Sequence, residues 1–522
     1  MPDVVFVNPR FEPSYWGMEY ALPLLGKGAA MPVAALPLLA ALTPPGYGVR
    51  IVDENVTPID FDRLASADIV AVTGMSVQRQ RMTEILTEFK RRGAFTVVGG
   101  PWVTVKEDYF GTLADVIFVG EAEETWPAFL LDFAAGQHQR RYEQPEKTDL
   151  SHIPVPRYDL LPMHRYVFGS VQLSRGCPFQ CEFCDIIVTF GRRPRYKTVP
   201  QITAELDALK RQGMQIVFIV DDNLIGNRRF ARAVLPEIAD WQKRNGYPFI
   251  FTTEASLDLA EQDDIMRMML DANILSVFVG VESPDEEALR ETRKFQNLIK
   301  HATVLERVHR IQDAGLEVWC GMIVGFDHDE PQVFRRQLEF LQRSRISDAM
   351  VGMLFAIPKT PLYDRLAAEG RLDPQDGSPF GTNVLPLKMS RDELRDGYVN
   401  MMRTLYEPRA YFERLDDFTT RPAFRFAPRQ REYMRKHPLS RVAWSAKYVL
   451  GGAVLFLRLM HRVAQSDLRA EYRRRLLRLV ARHKREPALW FAYALKCAMH
   501  YHYFTMTTEM SVERGAIVNS YQ

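Results

Sequence analysis

The sequence predicts an α/β protein that contains a doubly wound parallel sheet, a partial (β/α)6 barrel and a helical C-terminal region. Short β-branched runs alternate with helical patterns in two successive series, and the strand pattern stops after about Pro361. The chain has 522 residues, 47% of them apolar and 25% charged. This composition excludes collagenous, low-complexity and wholly disordered proteins.

The first series, residues 1–145, predicts a Rossmann-like sheet. Its apolar runs are Val4–Val7, Val49–Val52, Ile69–Thr73, Phe95–Val98 and Val116–Val119, separated by helical patterns such as Val33–Leu42 and Arg79–Arg92. Parallel sheets of this kind bind ligands at the carboxyl ends of their strands. The turns Gly99-Gly100-Pro101 and Gly120-Glu121 lie there. No G-x-G-x-x-G dinucleotide fingerprint follows the first strand.

The second series, residues 168–370, has six βα units, whereas a closed barrel needs eight. Its strand-like runs are Ser170–Leu173, Ile216–Val220, Phe249–Thr253, Leu275–Val281, Leu316–Val324 and Ala349–Phe355. Before it, the proline-containing residues 146–167 predict a linker that wraps between domains. After it, residues 371–522 predict a basic helical region.

Three of the five cysteines form a C-x3-C-x2-C cluster on the loop after the first barrel strand: Cys177, Cys181 and Cys184. Five cysteines are too few for a disulfide scaffold, and clustering favours a metal site in a reducing compartment. Three thiolates bind one face of an iron–sulfur cluster and leave one iron open to a substrate or cofactor. The alternatives are a zinc site, which prefers four ligands, or three unconnected buried thiols.

This motif, with the aromatic Phe183 before its last cysteine, resembles the signature of the radical S-adenosylmethionine superfamily. The resemblance continues on successive strands, in Val220-Asp-Asp-Asn223, Thr253-Glu-Ala-Ser256, Gly280-Val-Glu-Ser-Pro284 and Gly321-Met-Ile-Val-Gly325. It implies a [4Fe-4S] cluster on the three cysteines, with S-adenosylmethionine on the open iron. One-electron reduction would then yield a 5′-deoxyadenosyl radical. The implied S-adenosylmethionine contacts are Asp222, Glu254, Glu282, Phe183, Gly321 and Gly325, the last three near the adenine.

Each barrel motif also suits a structural role. Asp221 and Asp222 suit the cap of a helix that starts near Asn227. Glu254 suits a buried ion pair, and the glycines of the fifth strand suit close helix–strand packing. The residues identify no catalytic acid, base or nucleophile.

A Rossmann-like sheet before such a barrel resembles the cobalamin-binding subfamily. The resemblance implies that cobalamin contacts Gly99, Gly100, Gly120 and Glu121, with Met75, Ser76 and Gln78 as candidates beneath the corrin. Those three residues suit a helix-capping loop as well, and a cofactor-free or nucleotide-binding domain is a further alternative. The D-x-H-x-x-G motif is absent and no histidine precedes His138. We therefore expect no imidazole ligand to cobalt from this domain, which favours methyl transfer.

The domain order resembles the branch that includes the hopanoid C-2 methylases, as do Gly191-Arg-Arg-Pro-Arg195 and Ile357-Pro-Lys-Thr-Pro-Leu362. It implies a methyltransferase that acts on an unactivated carbon of a hydrophobic, lipid-like or polycyclic substrate. Its electron donor would be a protein such as flavodoxin or ferredoxin. One alternative is a non-methylating cobalamin radical enzyme, such as a magnesium-porphyrin cyclase, that cyclises, rearranges or oxidises. Another is a membrane-associated iron–sulfur binding or sensor protein.

Charge is unevenly distributed. From Arg421 onward there are 20 Lys/Arg and 6 Asp/Glu, a net charge of +14, while residues 1–420 carry 47 and 59, a net charge of −12. The basic and apolar segments of this region are Tyr448–Met460, Arg473–Arg485 and Leu489–Tyr503. They predict a cytoplasmic enzyme in peripheral contact with the inner face of an anionic membrane.

The alternative for this region is a helical subdomain that packs its apolar faces on the barrel and turns its arginines to solvent. No nucleic-acid motif accompanies the charge, so we expect no nucleic-acid partner. The longest apolar run, Tyr448–Leu457, is too short for a bilayer span, which needs about 20 residues. The N-terminal residues show no secretory signal pattern.

Overall fold

The computed structural model describes residues 2–298, 301–373, 381–421 and 424–512. It contains two six-stranded parallel sheets followed by a helical region, which confirms the predicted fold class. The strands are β1 Asp3–Asn8, β2 Gly48–Asp53, β3 Ile69–Thr73, β4 Thr96–Gly99, β5 Val116–Val119, β6 Arg141–Glu143, β7 Gly169–Val171, β8 Ser174–Arg175, β9 Arg195–Tyr196, β10 Ile216–Ile219, β11 Ile250–Ala255, β12 Ile274–Glu282, β13 Glu317–Val324 and β14 Ala349–Met353.

The first sheet has the strand order β2-β1-β3-β4-β5-β6, and every pair is parallel. Its strands are apolar on both sides because helices cover both faces. These helices are α1 Leu22–Leu25, α2 Ala35–Leu42, α3 Phe61–Leu64, α4 Arg79–Arg91, α5 Pro101–Val105 and α6 Thr125–Ala134. Strand β6 was not predicted from the sequence. Only its central residue, Tyr142, is buried, so the strand forms no apolar run.

The second sheet has the order β14-β13-β12-β11-β10-β7 and is also parallel, as expected for a partial barrel. The short strands β8 and β9 pair antiparallel and enclose the cysteine loop. The helices of this part are α7 Ile186–Thr189, α8 Val199–Arg211, α9 Arg228–Arg244, α10 Asp263–Asp271, α11 Glu286–Glu291, α12 Val304–Asp313, α13 Val333–Ser344 and α14 Pro361–Ala368.

The segment predicted as a linker packs between the two sheets. The Tyr158 hydroxyl donates to the carbonyl of Ser170 at the first barrel strand (2.7 Å). The Tyr166 hydroxyl donates to Asp53 at the end of β2 (2.9 Å). Both tyrosines are buried, so this segment fixes the barrel against the first sheet.

The described part of the C-terminal region contains six helices, and the last of them packs against four of the others. The helices are α15 Arg391–Leu405, α16 Pro408–Thr420, α17 Pro428–Lys436, α18 Pro438–Arg462, α19 Leu468–Arg482 and α20 Pro487–Val512. On α20, the ring of Tyr503 lies 4.9 Å from that of Tyr15 and 4.6 Å from that of Tyr406. His500 bonds the hydroxyl of Tyr472 and the carbonyl of Tyr406, and burial lowers its pKa to about 3. The apolar stretch Leu489–Tyr503 therefore packs into the fold.

Helix α18 is longer than the sequence analysis expected. The predicted apolar run Tyr448–Leu457 lies inside a helix of 25 residues that continues through its two glycines. These glycines allow close approach to α20, because a Cβ on Gly452 would lie 3.6 Å from the Cα of Phe491. Within the described ranges, α18 is the one helix with the length and composition to cross a membrane (mean hydropathy 1.3), although one of its faces packs on α20.

The contact between α18 and α20 can be tested with Gly452→Leu. The added side chain would meet the backbone of α20, and overpacking of this kind costs about 1–3 kcal/mol. Ala453→Leu is the matched control, since Ala453 is exposed on the same helix. We expect the first variant to lower the thermal unfolding midpoint and the second to leave it unchanged. Equal midpoints for the two variants would contradict the packing.

Candidate active site

Two aspartates that follow β10 accept hydrogen bonds from the residues just before the cysteine loop. Asp221 accepts hydrogen bonds from the amides of Leu173 (2.6 Å) and Ser174 (3.1 Å) and from the Ser174 hydroxyl (2.7 Å). Asp222 accepts one from the amide of Gly176 (2.6 Å). The helix-capping alternative for these aspartates is wrong, because the side chain of Asn227 caps α9.

Gly176 is the point where the chain turns into the loop. Its φ is +94°, and a Cβ would lie 2.9 Å from the carbonyl oxygen of Gly191. The amide of Cys177 donates to the same carbonyl (3.3 Å). A side chain at position 176 would therefore push apart the two ends of the β8–β9 ribbon.

Cys177, Cys181 and Cys184 are free thiols, and none of the five cysteines forms a disulfide. Burial raises the pKa of Cys177 and of Cys184, so both favour the neutral thiol until iron binds. The Gln296 amide lies 3.3 Å from the Cys181 sulfur. In the described residues, no three His, Cys, Asp or Glu side chains are grouped to hold a single metal ion.

A buried ion pair lies beside the cysteine loop. The Lys294 ammonium lies 2.7 Å from Glu282 and 5.7 Å from the centre of the Phe183 ring. Glu282 has a φ of +62° at a register shift between β12 and β13, which turns its side chain toward the lysine. Gly280 leaves room for the pair, because a Cβ there would lie 2.3 Å from a Glu282 oxygen.

Glu254 on β11 differs from Glu282. Among the described residues its carboxylate has no hydrogen-bond partner, whereas the ion pair that the sequence analysis considered for it belongs to Glu282. Burial, together with the nearby charges of Asp222 and Asp221, raises the pKa of Glu254 to about 8. Burial likewise raises the pKa of Asp222 to about 7. Two carboxylates that favour a proton at the same edge of the sheet are typical of a polar ligand site.

The remaining residues predicted to contact S-adenosylmethionine lie on the second half of β13 or beside it. The Phe183 ring lies 6.4 Å from that of Phe326, which follows Gly325. Gly325 has a φ of +100°, and a Cβ there would lie 3.0 Å from Leu394 of α15. Gly321 pairs in register with Gly280. The structure thus places Phe183 beside the end of β13, and its contact with S-adenosylmethionine stays a prediction. It also gives Gly325 the packing role considered as an alternative.

A cavity of about 250 Å³ lies between the first sheet and the barrel. Gly99, Gly100 and Gly120 line it, together with apolar side chains of β1, α2 and β5. Three buried atoms at its wall have no hydrogen-bond partner: Ser170 Oγ, Thr189 Oγ1 and Glu205 Oε2. Such atoms cost free energy unless a ligand or water satisfies them, so the cavity is suited to a ligand with polar groups at its edge.

Four residues predicted at this cavity lie outside its lining. Met75 is 49% exposed and Ser76 is half-buried. The side-chain NH2 of Gln78 donates to Asn8 and to the carbonyl of Pro9. The side-chain oxygen of Gln78 accepts from the amide of Met75 and so caps this turn. Glu121 bonds arginines instead. The helix-capping alternative therefore describes the loop of Gln78, and contacts from these four residues to a cofactor stay predictions.

The ion pairs that join the cavity to the cysteine loop were not predicted from the sequence, although Glu121 was a candidate contact to cobalamin. Arg175, two residues before Cys177, bonds Glu121 (2.8 Å) and Glu123 (2.6 Å). Arg195 at the other end of the ribbon bonds Glu121 as well (3.0 Å). All the carboxylates of this network are buried. Its signals in the sequence were the Gly120-Glu121 turn and an arginine two residues before the first cysteine.

Comparisons with known proteins match the chain to radical SAM enzymes and methyltransferases. Residues 171–341 match the family model of the radical SAM superfamily, and residues 360–515 match a domain of unknown function, DUF4070. The chain is 38% identical over 415 residues to an uncharacterised methyltransferase of Synechocystis (78% of this chain, 77% of the relative). It is 36% identical over 419 residues to the hopanoid C-2 methylase of Rhodopseudomonas palustris (79% and 78%). The fold also matches the cobalamin-dependent S-adenosylmethionine radical enzyme OxsB, solved with aqua-cobalamin and S-adenosylmethionine bound (TM-score 0.61, 16% identity, 100% of this chain and 82% of that chain).

The raised pKa of Glu254 predicts a pH-dependent stability of the cofactor-free enzyme. The folded state keeps a proton that the unfolded chain releases above the ordinary pKa of 4.5, so stability falls as pH rises from about 4.5 to about 8. Glu254→Gln removes this loss. We expect the urea midpoints of variant and wild type to agree near pH 5 and the variant to be more stable at pH 8. The exposed Glu339→Gln is the control, and parallel pH profiles for wild type and Glu254→Gln would refute the assignment.

Proposed function

Because the chain belongs to the radical SAM superfamily, in the branch of the hopanoid C-2 methylases, we propose that it is a cobalamin-dependent methyltransferase. Its substrate is an unactivated carbon of a hydrophobic, lipid-like or polycyclic molecule. The observation that carries the proposal is the cavity beside the cysteine loop. A radical formed at the loop and a methyl donor in the cavity could act on one substrate held between the two sheets.

The cysteine loop fits a [4Fe-4S] cluster, since it offers three free thiols at the required spacing. A cluster bound there would supply the electron that cleaves S-adenosylmethionine. The surrounding residues contribute charge and exclude water: Lys294 places a positive charge near the thiolates, and Phe183 covers that side of the loop. We propose Asp222, Glu254 and the end of β13 as the contacts to S-adenosylmethionine.

The lining of the cavity suits part of a corrin, whose edge carries amide groups around a large apolar ring. Apolar side chains form most of its wall, and the three unpartnered polar atoms could bond amides. The Gly99-Gly100 turn approaches the strand ends closely, because a Cβ on Gly100 would lie 2.3 Å from Thr73 Oγ1. Cobalamin bound here would supply the methyl group. No histidine occurs among the described residues that line the cavity, so the proposal assigns no imidazole of this chain to cobalt.

We assign the binding of each cofactor to one domain. Residues 1–145 hold cobalamin, residues 168–370 hold the cluster and S-adenosylmethionine, and residues 146–167 join them. Residues 371–522 contribute to substrate access and, through their net positive charge, to peripheral contact with the inner face of the membrane. We propose a cytoplasmic location and an electron donor such as flavodoxin or ferredoxin.

The reaction can be tested anaerobically with enzyme reconstituted with iron, sulfide and cobalamin. S-adenosylmethionine and a strong reductant are added, with or without a lipid extract of the source cell. We expect 5′-deoxyadenosine and S-adenosylhomocysteine to rise together when the extract is present. The Cys181→Ala variant should form neither a cluster nor 5′-deoxyadenosine. 5′-Deoxyadenosine alone would instead indicate the non-methylating cobalamin enzyme.

Binding in the cavity can be tested separately with Ala34→Trp. Ala34 lines the cavity, so an indole there would fill part of the corrin site. We expect the variant to lose at least tenfold in cobalamin retained after gel filtration, measured by its absorption spectrum. Ala135→Trp is the control, since Ala135 is exposed at the end of α6. Equal cobalamin on both variants would exclude the cavity as the cobalamin site.

A further inference from the structure

Helix α18 presents a continuous apolar face to solvent. Of the twelve large hydrophobic side chains that stand exposed in the described residues, six lie on this helix: Leu439, Val442, Val449, Leu450, Val454 and Leu457. At 3.6 residues per turn they fall within an arc of about 140°. Leu439 is 87% exposed, and Leu450 and Leu457 are each 67% exposed. Such a concentrated apolar face indicates an interaction site.

The opposite side of α18 is attached to the fold. Leu455 and Leu459 are buried there, and Gly452 lies against Phe491 of α20. The Arg458 guanidinium donates to the carbonyl of Leu24 (3.1 Å). The helix therefore lies along the protein surface, and a membrane crossing would separate it from α20.

Basic residues lie along one edge of the apolar arc. Helical periodicity puts Lys447 and Arg458 along one edge, and His461 and Arg462 follow at the C-terminal end. A surface cavity of about 560 Å³ opens at that end, lined by Leu24, Leu457 and these last three basic residues, against one carboxylate, Glu19. An apolar arc with cations at its edge is the arrangement of helices that lie in the interface of anionic bilayers.

We propose that α18 docks the enzyme on an anionic lipid bilayer, with its apolar arc among the acyl chains and Lys447 and Arg458 at the phosphates. The charge favours a bilayer over a second copy of the chain, because residues 421–522 carry a net +14 that would repel the same surface of another copy. The proposal rests on the proposed function in one respect, that a lipid-like substrate would be found in the same bilayer.

The test is flotation of the full chain with vesicles of phosphatidylcholine, alone or mixed with phosphatidylglycerol. We expect at least tenfold stronger binding to the mixed vesicles at low salt, and at least a tenfold loss for Leu450→Glu combined with Leu457→Glu. The matched control combines Leu131→Glu with Leu387→Glu, which adds the same charges at exposed leucines on other surfaces. The control should float like the wild type.

Unchanged flotation of the α18 variant, or wild-type binding that ignores phosphatidylglycerol, would overturn the proposal. So would a concentration-dependent dimer that the α18 variant abolishes in the absence of vesicle binding, because the face would then join two copies. Flotation requires neither cofactors nor turnover. A wild type that floats but forms no methylated product would therefore count against the proposed reaction alone, and 5′-deoxyadenosine formation by the α18 variant would show that its barrel is intact.

Discussion

The buried ion network of Arg175 with Glu121 and Glu123 fixes the geometry on which the candidate site depends. Arg175 belongs to β8 and is two residues from the first cysteine, while both glutamates follow β5 of the first sheet. A buried charge is tolerable only when it is paired and hydrogen-bonded. Removing Arg175 would leave the buried Glu123 without its ion-pair partner. The network therefore holds the two sheets and the cysteine loop in one relative position. The cavity lies between them for that reason.

Much of this arrangement could be predicted from the sequence. Buried parallel strands are continuous apolar runs, and the cysteine loop carries a spacing that few other sites use. The turn glycines could also be identified from the sequence. The structure shows why glycine stands there, because Gly100 and Gly120 both have a positive φ. The sequence did not predict β6, because a strand with one buried residue has no periodicity to detect.

The partners of charged residues were not predictable in the same way. Sequence places Glu254 and Glu282 on successive strands, yet the first has no hydrogen-bond partner among the described residues and the second pairs with Lys294. The difference depends on the positive φ of Glu282 and on the register shift beside it. Likewise, Gln78 caps its own turn because Asn8 and Pro9 lie beside it in space. Such choices depend on tertiary contacts that no local pattern encodes.

The stacking of Tyr15 on Tyr503 has a consequence for synthesis of the chain. The neighbouring hydrogen bond from His502 to the Ser14 carbonyl joins residues 488 positions apart. Translation proceeds from the N-terminus, so the aromatic segment that follows β1 is made early. Its partner helix, α20, is made only after almost all of the 488 residues between them. Contacts between such distant residues form late and leave apolar surface uncovered meanwhile. The aromatic segment around Tyr15 is thus a part of the enzyme that we expect to need chaperone protection during translation.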